Sequence, residues 1–99
     1  MDISIVELKE KLDKKEDFIF IDVREDYEYE EFNLGGKLIP LGDLMHEVDN
    51  LEEHLEEEIV VMCRSGNRSG QAQAILEMHG FSNVRNLEGG VLAWQKQFG

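Results

Sequence analysis

The sequence predicts an α/β domain, a largely parallel sheet with helices on both faces. Three observations carry that reading. Phe18-Ile19-Phe20-Ile21 and Ile59-Val60-Val61-Met62 are apolar throughout rather than alternating, as strands buried on both faces are. Segments with helical spacing separate these runs. Asp22, Cys63 and Gly89 each follow a predicted strand end, where open α/β sheets gather their functional groups.

The elements follow in order. Ser4-Ile5-Val6-Glu7 has the spacing of a capping box, and Ile5, Leu8 and Leu12 recur near the helical period, predicting a helix over 5–14. The 18–21 strand ends where charge returns at Asp22-Val23-Arg24-Glu25. Residues 26–32, acidic and aromatic, are expected to form a short helix, broken by Asn33-Leu34-Gly35-Gly36. Lys37-Leu38-Ile39 is a short strand stopped by Pro40. From Asp43 to Leu55, one helical face carries Leu44, Val48, Leu51 and Leu55, with a break near Asp49-Asn50. Residues 59–62 form the clearest strand. A polar, turn-rich loop follows, then a helix over about 69–79, closed by Gly80. A strand over 84–87 and a terminal helix opening at Val91-Leu92-Ala93-Trp94 complete the chain, read as one domain over residues 1–99.

Composition narrows the function. Ten Lys and Arg stand against 22 Asp and Glu, a net charge of -12. That sign disfavours a phosphate backbone or an anionic membrane as partner. It also repels anionic substrates from a distance, so an anion site must be built locally. No apolar run approaches the length that spans a bilayer, and Met1-Asp2-Ile3 opens no basic-then-apolar signal, so a cytoplasmic location is expected. The one cysteine excludes an internal disulfide and a Cys-rich zinc site, and His46, His54 and His79 are widely spaced.

Cys63 is therefore either a buried hydrophobe or a reactive thiol. Its surroundings favour the second. Gly66 lets successive backbone N–H groups turn into one hollow, and a helix start near Ser69 adds unpaired donors and a favourable dipole. Arg64 and Arg68 add local positive charge that opposes the sign of the whole chain. These features favour the thiolate, at an open loop mouth.

Cys63-Arg64-Ser65-Gly66-Asn67-Arg68-Ser69 resembles the active-site loop of single-domain rhodaneses, the thiosulfate sulfurtransferases. Other segments resemble the family in order: Asp22-Val23-Arg24-Glu25, then Glu28, Gly35, Ile39-Pro40-Leu41 and Leu44, then Leu87-Glu88-Gly89-Gly90 with Trp94. The resemblance implies about five parallel strands, the first very short near Ile3. It implies a persulfide on Cys63 and substrate binding by Arg64, Ser65, Gly66, Asn67, Arg68 and Ser69. Arg68 would shape the loop and reach outer substrate oxygens, and Arg64 would be the exposed cation. Asp22, Arg24 and Gly89 would be structural. No cofactor or metal is implied. The implied partners are a small-molecule sulfur donor such as thiosulfate, a thiol or cyanide acceptor, and a protein acceptor. One departure stands out: Leu34-Gly35-Gly36-Lys37-Leu38-Ile39-Pro40 replaces a Gly-His-Ile-Pro-Gly-Ala type segment, lacking its histidine and shortening the linker.

Two rival readings remain. Cysteine-dependent phosphatases resemble a Cys-x5-Arg pattern, whereas four residues separate Cys63 from Arg68 here. A partner-dependent persulfide carrier or binding domain on the same fold needs no turnover of its own. Trp94, Phe98 and Phe81 are expected to cover core edges, and Tyr27 and Tyr29 to pack on the sheet or rim the site.

Overall fold

The computed structural model describes residues 2–99. Helix α1 (Ile5–Asp13) is capped by Ser4, whose Oγ accepts the Glu7 N–H at 3.1 Å. It is followed by β1 (Ile19–Asp22), α2 (Asp26–Glu31) and β2 (Lys37–Leu38). A short helix α3 (Leu44–Glu47), β3 (Ile59–Met62), α4 (Asn67–Met78), β4 (Val84–Asn86) and α5 (Gly90–Phe98) complete the order. The strands form one parallel sheet in the order β2-β1-β3-β4.

β3 lies at the centre and explains the unbroken apolar run. Its four residues are all fully buried, and their side chains alternate between two cores. Ile59, Val61 and Cys63 face a layer with Ile21, Leu44, Ala72, Leu76 and Phe81. Val60 and Met62 face the other, with Ile3, Leu8, Leu87 and Val91, covered by α1 and α5. Helices therefore close both faces, as the sequence predicts.

Four strands form the sheet, and the fifth contracts to a single parallel bridge between Ile3 and Leu87. Ser4 immediately starts the cap of α1, which leaves no length for a ladder. The 43–55 segment is not one helix. α3 is flanked by 3-10 turns at Leu41–Asp43 and Asp49–His54. Three residues per turn still stack Val48 over Leu51, and both are buried. Helix α4 begins at Asn67, two residues before the expected start. Gly66, at φ +110°, turns the chain so that its carbonyl accepts the Gly70 N–H at 2.9 Å. Asn67, Arg68 and Ser69 thus belong to the first helical turn rather than to the loop.

The departing segment at 33–37 closes on itself. Asn33 Oδ1 accepts the Gly35 N–H at 2.9 Å, and the Tyr29 hydroxyl donates to Gly36 O at 2.7 Å. Phe81 lies in the core, and Trp94 packs edge-on against Phe98 with centroids 4.8 Å apart. Among the described residues no helix is long and apolar enough to cross a membrane.

Candidate active site

β3 delivers Cys63 to the carboxyl edge of the sheet, and the turn into α4 folds back over its sulfur. Sγ accepts the Gly66 N–H at 3.0 Å and lies 3.3 Å from Ser69 Oγ. Burial pushes the thiol pKa up. Hydrogen bonds from the Ser69 hydroxyl and from the backbone N–H groups of Ser69, Gly66 and Ser65 outweigh it, and the net shift is downward. The expected lowering is present, and it is led by the Ser69 hydroxyl and the backbone nest. The open mouth is not: Cys63 is only 1% exposed, with Ser69 Oγ of α4 close to its sulfur and Ala72 of α4 in the same buried cluster.

The two arginines part company. Arg68 is tied to α2, its two terminal nitrogens donating to the Glu28 carboxylate at 2.7 and 2.9 Å. Cys63 still acts electrostatically on Arg68, though less than Glu28 does. Arg64 is exposed and borders a cleft of about 310 Å³ with Arg24, Glu28, Phe32, Leu92 and Gln95 in its walls. The cleft adjoins the Cys63 loop, but Cys63 is not one of its lining residues. Ser65 and Asn67 are exposed on the loop and first helical turn, while Ser69 is fully buried.

Asp22 and Arg24 form a buried pair, 0% and 3% exposed. Arg24 Nε and Nη2 donate to the Asp22 carboxylate at 3.0 and 2.8 Å, and Nη2 also reaches Phe32 O at 2.6 Å. The pair therefore pins the end of β1 to the end of α2. Gly89 and Gly90, at φ +75° and +58°, turn the chain into α5. The first free N–H groups of that helix hold the loop from beneath: Val91 donates to Cys63 O and Leu92 to Arg64 O, both at 3.0 Å.

Sequence reasoning missed Asn86. From the end of β4, its Oδ1 meets Ser69 Oγ at 2.5 Å and its Nδ2 donates to Gly66 O at 3.1 Å. An Asn ending a three-residue strand carries no signal that it will face a loop twenty residues earlier. The histidines stay apart from the sulfur: His54 pairs with Glu57 at 2.8 Å, His79 Nδ1 donates to Ile75 O, and His46 is exposed. Among the described residues no three potential metal ligands converge.

A parallel sheet covered on both faces, with one buried cysteine in a donor-lined turn after the central strand, defines a rhodanese-like domain. The chain belongs to that family, matching the rhodanese-like domain over residues 4–97. It is 39% identical over 95 residues to the putative sulfurtransferase YtwF of Bacillus subtilis, covering 95% of this chain and 89% of that one. It is 36% identical to the putative sulfur carrier protein YrkF of the same organism, covering 94% of this chain but only 50% of the relative. The structure superposes on a rhodanese-like domain protein from Staphylococcus aureus with a TM-score of 0.80 at 34% identity, covering 95% and 91% of the two chains. Cys63 occupies the family's active-site loop, an arrangement consistent with sulfur-transfer chemistry in general.

Proposed function

We propose that this protein is a sulfurtransferase that takes sulfane sulfur from thiosulfate or a persulfide donor onto Cys63 and passes it to a thiol, with cyanide as an assay acceptor. The observation that carries the reading is the donor set around the only sulfur nucleophile: the Gly66 N–H at 3.0 Å, the Ser69 hydroxyl, and the neighbouring N–H groups. In the first half-reaction the Cys63 thiolate attacks the outer sulfur of thiosulfate. A new S–S bond forms, the donor's S–S bond breaks, and sulfite leaves with the bonding pair. The enzyme persulfide carries the negative charge on its outer sulfur. An acceptor thiolate then attacks that sulfur, and Cys63 leaves as thiolate. Arg64, exposed beside the cleft, supplies the cation that meets an anionic donor in a chain of net charge -12. The YtwF relationship supports the same chemistry.

Phosphatase chemistry is disfavoured because Arg68 is committed to Glu28. A partner-dependent persulfide carrier is the second reading, favoured by the 1% exposure of Cys63 and by the YrkF relationship. Intact-mass measurement after treatment with thiosulfate, polysulfide and an organic persulfide tests both. One added sulfur on the wild type and none on Cys63→Ser supports transfer through Cys63. No adduct with any of the three donors would sink it. An adduct from a persulfide donor but not thiosulfate, with no cyanide turnover, selects the carrier reading.

A further inference from the structure

One hydroxyl proton at the base of the Cys63 loop has two claimants. Ser69 Oγ lies 2.5 Å from Asn86 Oδ1 and 3.3 Å from Cys63 Sγ. The far end of the amide fixes its orientation: Nδ2 is 3.1 Å from Gly66 O, which only accepts. Oδ1 therefore faces Ser69, and it too only accepts. The single Ser69 proton satisfies Asn86 or the sulfur, not both.

The two positions of that proton suit two states of the cysteine. With the proton on Asn86, Sγ meets an oxygen lone pair, which accepts from a neutral S–H and repels a thiolate. With the proton turned to Sγ, a thiolate gains a charge-assisted hydrogen bond and Asn86 loses its own. Asn86 is held firmly for this contest. Its carbonyl accepts the Ile3 N–H at 3.0 Å, its N–H reaches the Asp2 carboxylate at 3.3 Å, and its Cα pairs with Val61 in the sheet.

We propose that Asn86 is a positioning residue that sets the balance between thiol and thiolate at Cys63 by competing with its sulfur for the Ser69 hydroxyl proton. On ionisation the cysteine's own proton leaves to solvent, and the serine proton only rotates. The charged groups near the sulfur are Arg64 on the loop, Arg68 on α4 paired with Glu28 on α2, and Asp22 at the end of β1 closed by Arg24. Tyr27 on α2 lies within electrostatic reach of Arg68, and the Asp2 carboxylate accepts from the Asn86 backbone N–H and from Gln73 Nε2 rather than from the Asn86 side chain. The Asn86 contest acts beside these charges, through a neutral hydroxyl.

The inference rests on Cys63 being the reacting thiol, but its test uses no sulfur donor, so failure of transfer and failure of the contest are separable. Thiolate ultraviolet absorbance is followed against pH, with Cys63→Ser as the blank. The variants are Asn86→Leu and Asn86→Asp, each with and without Ser69→Ala. Leucine removes the competing acceptor, so the titration midpoint moves to lower pH. Well below the wild-type midpoint the thiolate fraction rises about threefold or more. Aspartate is a stronger acceptor and brings like charge, so the midpoint moves to higher pH. Without the Ser69 hydroxyl, the leucine shift vanishes and the aspartate shift shrinks. A purely structural Asn86 predicts another pattern, in which both substitutions loosen the Gly66 turn and raise the midpoint. That pattern, or a leucine shift that persists in Ser69→Ala, would overturn the proposal. Should Asn86→Leu fail to fold, an Asn86→Asp midpoint unmoved or equally shifted in Ser69→Ala overturns it.

Discussion

Arg68 reaches back forty residues to grip Glu28 with both terminal nitrogens, at 2.7 and 2.9 Å. The bond ties the first turn of α4 to α2, so the helix that carries Ser69 beside the sulfur is clamped from outside the loop. Glu28 in turn completes a capping box at the start of α2, its side chain accepting the Glu25 N–H at 3.0 Å. One carboxylate thus orders a helix start and an arginine near the nucleophile.

This pairing has a pH signature. The Arg68 hydrogen bonds, opposed by burial and helped by the Glu25 N–H, hold the Glu28 pKa at about 2, below its ordinary 4.5. A depressed carboxyl contributes stability that is present above its unfolded value and lost as pH falls toward its folded one. With Arg68 partly exposed, the contribution is about 1–2 kcal/mol after solvent screening. Glu28→Gln should therefore be less stable than wild type at neutral pH. The gap should close between pH 4.5 and about 2. Urea midpoints across that range check it, and a gap independent of pH would be wrong for this pair.

The unequal placement of the two arginines predicts unequal phenotypes. Arg64 is exposed at the cleft, while Arg68 is spent on Glu28. Arg64→Ala should shift the melting temperature by no more than about 2–4 °C, a surface-substitution effect of about ±0.5 kcal/mol, and raise the KM for thiosulfate. Arg68→Ala should lower both melting temperature and turnover. Steady-state kinetics paired with thermal melts separate them, and matching losses of stability with unchanged donor kinetics would contradict the assignment.

How much of this was legible follows from what each feature depends on. β3 was readable because burial on both faces leaves its mark in every residue, Ile59 through Met62. The Cys63 turn was readable because its donors are local in sequence. The Glu28 clamp was not, since nothing in a run of acidic residues marks the one that will meet Arg68. Nor was the burial of Cys63, which depends on α4 starting at Asn67 through the left-handed Gly66. Ile3 illustrates the converse: the resemblance implied a strand, and packing against Leu87 left one bridge.

The buried Asp22–Arg24 pair predicts a large, asymmetric stability loss. Asp22→Ala leaves a guanidinium 3% exposed without its carboxylate, a change costing about 3–5 kcal/mol. Removing both partners, as Asp22→Ala with Arg24→Met, should cost less than the two single losses added together, because no buried charge is stranded. A double-mutant cycle by urea denaturation measures the coupling. Simple additivity would mean that the pair is not the connection that holds β1 to α2.

The closest backbone approach in the site is at Gly90, and three glycine substitutions isolate it. Gly90 sits at φ +58°, and a Cβ there would lie 2.5 Å from the carbonyl oxygens of both Cys63 and Arg64. Those oxygens are backbone atoms held by the N–H groups of Val91 and Leu92, so neither can withdraw without breaking the contact between α5 and the loop. Gly35, at φ +88°, has nothing within 4 Å, so alanine there meets only the left-handed backbone penalty, about 1–2 kcal/mol. Gly42 has neither a positive φ nor a neighbour within 4 Å, and alanine there should be neutral or stabilising by up to about 1 kcal/mol. The expected order of urea midpoints is Gly42→Ala at or above wild type, then Gly35→Ala, then Gly90→Ala. Sulfur transfer should separate the last two more sharply than stability does. Gly35→Ala, measured where it is folded, should keep nearly full turnover, because its turn lies outside the Cys63 loop. Gly90→Ala must displace the carbonyl of the nucleophile itself, and with it the Gly66 N–H that faces Sγ. Near-native turnover in folded Gly90→Ala would show that the loop tolerates that displacement, and that the α5 contact supports the fold without setting the geometry of the sulfur.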